Sequence, residues 1–208
     1  MRRAVLAIVE IVILSALILA TRCANYGDVF VNGEIFFTDA DCYARMTRVR
    51  MCVEHPGIII RHHSFENFPE GTTPHTTAPL DYLIAALNVA LKPFTNRAID
   101  LAGAIVSPLL ALLTGWFLWW WSWRTRLPYR SAMLLIFAVS PILVHGTELG
   151  RPDHQSLLVG LIAVALCAEW SLREVEGWPG AIAVLRGGMW SAAEQSVTSD
   201  LLMRRPTD

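Results

Sequence analysis

Charged side chains are scarce in this 208-residue sequence, and neither sign of charge dominates. Asp, Glu, Lys and Arg make up 17% of the chain, whereas soluble domains average about 25%. The 17 basic residues face 18 acidic ones, so no basic surface is predicted and nucleic acid is excluded as a partner. Cysteine is also rare, and the four thiols fit neither a zinc site nor a dense disulfide scaffold: Cys23, Cys42, Cys52 and Cys167.

The sequence does contain long hydrophobic runs. Hydrophobic residues make up 54% of the chain, and the mean hydropathy is +0.43. A helix that crosses a bilayer core about 30 Å thick needs roughly 20 residues. Four blocks reach or approach this length, at Ala4–Thr21, Ala98–Trp123, Ser131–His145 and Ser156–Trp170. The sequence therefore predicts an all-α integral membrane protein with about four transmembrane helices and a long, partly helical first extracytoplasmic loop, at about residues 22–97.

The first block has two interpretations, a cleaved signal peptide and an uncleaved signal anchor. Its apolar run is longer than a usual signal core and a poor cleavage region follows it, which favours the anchor. Orientation follows from the rule that basic residues of short loops lie on the cytoplasmic side. Basic residues precede the first block and fill the connection between the second and third: Arg2, Arg3, Arg124, Arg126 and Arg130. Because an even number of crossings separates these groups, both predict a cytoplasmic N-terminus.

The long outer loop is predicted to contain helices. Ala40–Glu54 has apolar side chains at helical spacing, namely Tyr43, Met46, Val49 and Val53. Either Asp39 or Asp41 can cap the start of this helix, and a Pro-Gly pair ends it. A second helix is predicted at Leu80–Leu91, which is too short to span the bilayer and is expected to lie at the membrane interface or half inserted.

Acidic side chains at the ends of membrane spans are candidates for function, because membrane proteins carry few charges there. Asp39 and Asp41 lie in the long outer loop, and Asp153 and His154 precede the fourth block. The predicted topology places both groups on one side of the membrane, where they could jointly hold a hard divalent cation such as Mg²⁺ or Mn²⁺. The simpler alternative is that each aspartate starts a helix, that Arg151 is an interfacial anchor, and that the loop histidines are solvated: His62, His63 and His75.

Two short motifs resemble those of a known family. Residues 37–46, FTDADCYARM, resemble the first acidic motif of GT-C fold glycosyltransferases, particularly the catalytic subunits of oligosaccharyltransferases and their bacterial relatives. Residues 150–155, GRPDHQ, resemble the second acidic motif of that family, in the outer loop before the fourth span. Between them, residues 69–71 and 79–83 are similar to the loop-to-helix passage before the second span of those proteins. The resemblance covers roughly residues 5–172.

The resemblance implies a reaction outside the cytoplasm, in the cell (inner) membrane of a bacterial or archaeal-type cell. Such enzymes take a sugar from a polyprenyl-phosphate or polyprenyl-diphosphate carrier in the lipid bilayer. They give it to an acceptor, which the sequence does not name, and invert the anomeric centre. A divalent metal, Mg²⁺ or Mn²⁺, would neutralise the departing phosphate as a Lewis acid.

The same resemblance implies roles for individual residues. Asp41 would be the catalytic residue, which binds the metal and positions or activates the acceptor, and Asp153 would be a second metal ligand. Arg151 would bind the substrate phosphate. The family often has a further ligand where this chain has Gln155, so the neighbouring histidine is expected to contribute. The candidate metal ligands are therefore Asp39, Asp41, Asp153 and His154.

The predicted organisation is a GT-C-like N-terminal transmembrane module at residues 1–172, followed by a polar tail at residues 173–208 that is either disordered or aberrant. GT-C enzymes usually have more spans and further outer loops. We therefore expect an incomplete glycosyltransferase, from a truncated or frame-shifted reading, that does not catalyse the reaction unaided. The alternative is a non-catalytic membrane subunit that binds a lipid-linked substrate or a partner enzyme.

Overall fold

The structure, a computed structural model, describes residues 2–74 and 78–174, and this part of the chain is mostly helical. His75 and the tail beyond Glu174 lie outside the described residues. The chain divides into two compact units, Met1–Val164 and Ala165–Asp208. The elements in chain order are α1 (Arg2–Arg22), α2 (Tyr26–Val29), β1 (Phe30–Val31), β2 (Glu34–Ile35), α3 (Ala40–Glu54), α4 (Ala78–Leu91), α5 (Ala98–Arg124), α6 (Arg130–Val139), α7 (Pro141–His145) and α8 (His154–Glu174).

Three helices are long and apolar enough to cross a membrane, judged by length and composition. They are Ala4–Arg22, Ala98–Arg124 and His154–Leu172, and they coincide with three of the four predicted blocks. The prediction of a mostly helical membrane protein with several candidate spans is therefore confirmed at this level, while the number of crossings stays a prediction. The chain is not purely helical, since β1 and β2 form an antiparallel hairpin.

The predicted third block, Ser131–His145, is not one continuous helix. It forms α6 and α7, which are separated at Ser140, where φ of −59° and ψ of 120° leave the helical region. The next residue, Pro141, has no N–H to donate to the carbonyl of Phe137, so the first helix stops. The guanidinium of Arg22 replaces that donor, with Nη2 2.8 Å from the Phe137 oxygen. A crossing at this position would need both short helices and stays a prediction.

The helices α1 and α5 pack side by side in opposite directions. Trp119 Nε1 donates to Glu10 Oε2 over 3.3 Å, and Trp116 Nε1 donates to Ser15 Oγ over 2.9 Å. Because the later tryptophan contacts the earlier position of α1, the start of α1 lies beside the end of α5. The arginine-rich connection after α5 is therefore close to the start of α1.

The core of the first unit lies where α3 and α4 pack against the first half of α5. The predicted helix Ala40–Glu54 is confirmed with these bounds. A Cβ at Gly103 would lie 2.4 Å from Met46 Sδ, so glycine allows α3 to approach α5 closely. From Gly103 to Arg124, α5 rises roughly 30 Å, so α3 lies at the end opposite the arginine-rich connection. The core includes buried side chains of all three helices: Met46, Val49, Leu80, Ile84, Ala102 and Val106.

The loop before α8 is tied to the same end of the first unit by backbone hydrogen bonds. Gly150 N donates to the carbonyl of Ala104 over 2.9 Å, and Thr38 N donates to the carbonyl of Gly150 over 3.0 Å. Gly150 has a φ of +74°, and a Cβ there would lie 2.7 Å from a methyl of Val29, so glycine is needed for both reasons. These bonds place the loop beside the start of α3.

Candidate functional site

One polar pocket lies where the start of α3, the loop after α3 and the start of α8 meet. Its volume is about 120 Å³. It brings together three of the predicted site residues. Asp41 is on α3, and Asp153 and His154 follow much later in the chain. The polar lining of the pocket consists of Asp41, Arg45, Arg48, Glu66, Asp153 and His154.

Helix α3 supplies one wall of this pocket. Asp41, Arg45 and Arg48 share a face because residues four and seven positions apart align along a helix. The start of the helix is fixed by Asp39, whose Oδ1 accepts a hydrogen bond from Cys42 N over 2.9 Å. Asp39 is therefore the cap, which decides between the two alternatives, and the exposed Asp41 lines the pocket instead.

Asp153, the residue before α8, also lines the pocket. Its Oδ1 accepts from the backbone N of His154 over 2.7 Å and lies 2.6 Å from His154 Nδ1. Its carbonyl accepts from the Ser156 hydroxyl over 2.8 Å. These local bonds hold the carboxylate beside His154, whereas a capping side chain accepts from a backbone N–H two or three residues further on, so the helix-start alternative stays a prediction for Asp153.

Arg45 connects the pocket to the core beneath it. Its side chain is 3% exposed, and Nη1 lies 2.8 Å from Oδ1 of Asp81 on α4, which is 2% exposed. Its Nη2 lies 3.8 Å from Asp153 Oδ1. Burial raises the pKa of Asp81, an effect that the charge and hydrogen bond of Arg45 oppose. One guanidinium thus serves a structural carboxylate and a pocket carboxylate at once.

Arg48, one turn further along α3, has an unused hydrogen-bond donor. The residue is buried, and Nη1 lies 3.4 Å from Glu66 Oε2. Its Nε is buried without a hydrogen-bond partner among the described residues. Burial lowers the pKa of Arg48, and the nearby Arg45 charge lowers it further. Buried polar groups normally find partners, and because this Nε is closed to solvent, it would reach an oxyanion in the pocket only after a shift of the side chain.

The structure corrects the expectation that His63 is solvated. This residue is 5% exposed, its ring stacks on Phe65 with centroids 3.8 Å apart, and Nε2 lies 3.0 Å from Glu66 Oε2. Burial lowers the pKa of His63. The neighbouring His62 is exposed, as expected. The expectation was wrong for His63 because its loop folds back on itself, with backbone hydrogen bonds to Thr72 in both directions.

Asp39 and Arg151 lie outside the set of residues that line the pocket. Arg151 Nη2 is 3.2 Å from Asp39 Oδ2, and Nη1 is 3.3 Å from Glu148 Oε1. Burial alone raises the pKa of Asp39, but hydrogen bonds from Cys42 and the Arg151 charge outweigh it, so the pKa is lowered. This ion pair ties the loop before α8 to the start of α3. The predicted roles of both residues toward metal and phosphate stay predictions.

The sequence motifs do not single out every residue of the pocket. Arg45 and Arg48 follow Asp41 at helical spacing, and that spacing was a signal that could have identified them. Glu66 lies in an irregular loop, so no periodicity points to it. The pocket therefore contains two cations and one carboxylate that the sequence analysis does not assign to a site.

The fit of the pocket to a divalent cation depends on how many protein ligands the cation needs. Within residues 2–74 and 78–174, no group of three or more His, Cys, Asp or Glu side chains is arranged to hold a metal ion. Asp41 and Asp153 nevertheless supply carboxylate oxygens to one pocket. Mg²⁺ usually keeps several waters and is held by one or two carboxylates together with substrate phosphates. The donor set fits that mode and does not fit a cage made by the protein alone.

No protein-family model, curated protein or solved structure matches this chain. The likeness to GT-C glycosyltransferases therefore rests on the motifs of the sequence and stays a prediction. The pocket itself presents three carboxylates, two buried guanidiniums and an imidazole.

Proposed function

We propose that this chain forms the N-terminal, acid-bearing part of a GT-C-type membrane glycosyltransferase. In this proposal, a sugar passes from a polyprenyl-phosphate or polyprenyl-diphosphate carrier to an acceptor on the extracytoplasmic side. One observation carries the proposal: Asp41 and Asp153, which are far apart in the chain, line one pocket whose wall also holds two buried arginines.

The mixed charge of the pocket suits a phosphate-linked sugar. Such a donor already has a good leaving group, so positioning and charge neutralisation are the main demands. Arg48 would donate hydrogen bonds to phosphate oxygens as the bond between the sugar and the phosphate breaks, and Arg45 would add its positive charge. Asp41 would accept a hydrogen bond from the acceptor and orient it toward the anomeric carbon. A divalent cation held by Asp41 and Asp153, beside His154, would supply further neutralisation of the phosphate.

Arg151 has a different place in this proposal from the one that the resemblance implies. Its two terminal nitrogens lie against Asp39 and Glu148, so it would reach a phosphate only by leaving these carboxylates. Arg48 lines the pocket directly and is the better candidate, because its contact with Glu66 is longer, at 3.4 Å, whereas Arg45 is held by Asp81. Arg151 would instead hold the Asp153 loop against α3.

The position of the pocket supports the extracytoplasmic side. It lies at the end of α5 remote from the basic connection, which contains Arg124, Arg126 and Arg130. Basic connections of this kind lie on the cytoplasmic side. The part of α5 from Gly103 to Arg124 rises roughly 30 Å, which is the thickness of a bilayer core. A carrier embedded in the opposite leaflet could therefore present its phosphate to the pocket.

Binding of Mn²⁺ to the purified protein in lipid nanodiscs, followed by the electron paramagnetic resonance of the free ion, tests the proposal. Farnesyl diphosphate serves as a short analogue of the carrier. We expect it to tighten Mn²⁺ binding, and we expect Asp41→Asn or Asp153→Asn to abolish that effect. Asp100→Asn removes a carboxylate on α5 that pairs with Arg50 outside the pocket, so it is the matched control and should leave binding unchanged. Equal Mn²⁺ binding in all of these proteins would contradict the proposal.

Sugar transfer from a radiolabelled polyprenyl-phosphate sugar, measured in membranes that contain the protein, separates the enzyme from its alternative. Transfer that is lost in Asp41→Asn supports the glycosyltransferase. Carrier binding that Asp41→Asn and Asp153→Asn leave unchanged, without any transfer, supports a non-catalytic subunit that binds a lipid-linked substrate. One observation favours this alternative. The Asp153 carboxylate already contacts His154 and lies near Arg45, so it has partners within the protein and does not need a metal ion.

A further inference from the structure

We infer that the arginine-rich end of the protein binds one anionic glycerophospholipid, with its headgroup phosphate on Arg126 and Arg130 and one acyl chain along α1. This site lies at the end of α5 opposite the polar pocket, and it does not rest on the proposed glycosyl transfer. Two adjoining cavities, which share Arg130, carry the inference.

The first cavity has the composition of a headgroup site. Its volume is about 480 Å³, and it lies between the start of α1 and the end of α5. Leu6, Trp123, Arg126 and Arg130 are among the residues that line it. Tryptophan is enriched where headgroups meet acyl chains, and basic side chains are enriched on the cytoplasmic side. The cavity therefore combines a phosphate-binding charge with an interfacial aromatic ring.

The second cavity continues from the first as an apolar groove between α1 and α6. Its volume is about 280 Å³, and Arg130 stands at its border with the first cavity. From Glu10 to Leu17 the groove follows α1 for roughly 10 Å. This length is enough for the part of an acyl chain nearest the headgroup. Its apolar walls include Leu14, Leu17, Leu134 and Leu135.

The positive charge at this end is only partly compensated. Arg130 pairs with Glu10, and its guanidinium carbon lies 4.4 Å from the centroid of the Trp123 ring. Within the part of the chain that the structure describes, Arg124 and Arg126 form no ion pair. Basic pockets between transmembrane helices on the cytoplasmic side are typical sites for anionic headgroups. A phosphodiester with a net negative charge complements this end, whereas a zwitterionic headgroup does not.

The connection that carries Arg126 has an unusual backbone. Arg126 and Tyr129 have φ values of 52° and 60°, in the left-handed region that favours glycine. Non-glycine residues are held there at an energetic cost, and such residues are concentrated in loops that bind ligands. A backbone hydrogen bond from Leu127 N to the carbonyl of Ser122, over 3.0 Å, folds the connection back onto α5. This conformation keeps Arg126 at the border of the first cavity.

Native mass spectrometry of the full protein, released from detergent with phosphatidylglycerol or phosphatidylcholine, tests the inference. We expect tighter binding of phosphatidylglycerol, and a roughly fivefold weakening in Arg126→Gln, since one basic residue near the membrane surface contributes about that factor. Ser131→Trp should also weaken binding, because Ser131 lines the groove and a larger side chain would fill it without a change of charge. Arg50→Gln removes an exposed arginine elsewhere, on α3, and should leave binding unchanged.

Three results would overturn the inference. Equal binding of phosphatidylglycerol and phosphatidylcholine would exclude recognition of the anionic headgroup. Equal weakening by Arg126→Gln and Arg50→Gln would indicate a nonspecific effect of charge. Displacement of phosphatidylglycerol by excess inorganic phosphate, with no effect of Ser131→Trp, would indicate a site for free anions instead of a lipid site.

Discussion

Replacing Asp81 with asparagine should destabilise this protein strongly, although Asp81 does not line the pocket. Asp81 and Arg45 are 2% and 3% exposed, and their charged atoms are 2.8 Å apart. The substitution keeps the shape of the side chain but removes the charge that compensates the buried guanidinium. Asp153, whose Oδ1 is 3.8 Å from Arg45 Nη2, is a more distant carboxylate that compensates part of the arginine charge.

The expected cost follows from the burial of the pair. Removal of one partner from a buried ion pair costs about 3–5 kcal/mol, because a desolvated charge is left uncompensated. Partial compensation by Asp153 places the expected loss near the lower limit, at about 3 kcal/mol. For soluble chains of 150–250 residues, this corresponds to a decrease in Tm of roughly 6–12 °C. Replacing both partners, as in Arg45→Met with Asp81→Leu, should restore much of the loss, since apolar pairs of similar volume pack well at such sites.

Thermal unfolding in nanodiscs, followed by tryptophan fluorescence, measures this difference. Asp100→Asn is the matched control, because Asp100 lies 2.6 Å from Arg50 but the two side chains are 31% and 45% exposed. An exposed pair contributes at most about 1 kcal/mol. If the two substitutions lower Tm equally, or if Asp81→Asn leaves Tm unchanged, the reasoning from burial is refuted.

Asp39→Ala should reduce the free energy of unfolding by about 1–2 kcal/mol, measured by circular dichroism melts. Asp39→Asn keeps a capping acceptor and should lose less stability. Equal losses in the two variants would argue against the cap. Because the pKa of Asp39 is lowered from 3.8, its stabilisation is present above that pH and is lost as the pH falls through the folded-state pKa, which melts over a pH series of the parent and Asp39→Asn can check. The pKa of His63 is lowered from 6.5, so its neutral form stabilises the loop above pH 6.5. Hydrogen-exchange protection factors at residues 58–72, which are corrected for the intrinsic pH dependence of exchange, should therefore fall as the pH falls through the folded-state pKa in the parent but not in His63→Gln. Gly103→Leu should separate α3 from α5, since even a Cβ would lie 2.4 Å from Met46 Sδ, and Met46→Ala should partly restore Tm; a Gly103→Leu protein with the parental Tm would contradict this packing.

Helix α3 is the element that the sequence predicts most completely. Apolar spacing and local start and stop signals predict Ala40–Glu54, and the structure has the same bounds. These signals are sufficient because they act within a few residues of the helix. Which aspartate is the cap depends on a single hydrogen bond to Cys42, and the sequence leaves Asp39 and Asp41 as equal alternatives. The break at Pro141 also has a local signal, and the proline rule alone would have predicted it.

The contacts that build the pocket could not be predicted in the same way. The partner of Asp81 lies on another helix, and spacing within one helix contains no information about it. Glu66 and His63 belong to an irregular loop, where neither helical nor strand periodicity applies. The sequence does identify Asp41, Asp153 and His154 as candidates, and the structure brings these three to one pocket. Their roles toward metal and sugar stay predictions.

The most direct test of the central claim is a cross-link between positions 41 and 153. The four native cysteines are first replaced, and a short bifunctional thiosulfonate is then applied to the protein with Asp41→Cys and Asp153→Cys. We expect an intramolecular cross-link in this protein and none in a control with Asp41→Cys and Tyr129→Cys, because Tyr129 is 87% exposed on the arginine-rich connection. If both thiols of the first protein react with maleimide but do not cross-link, Asp41 and Asp153 do not share a pocket.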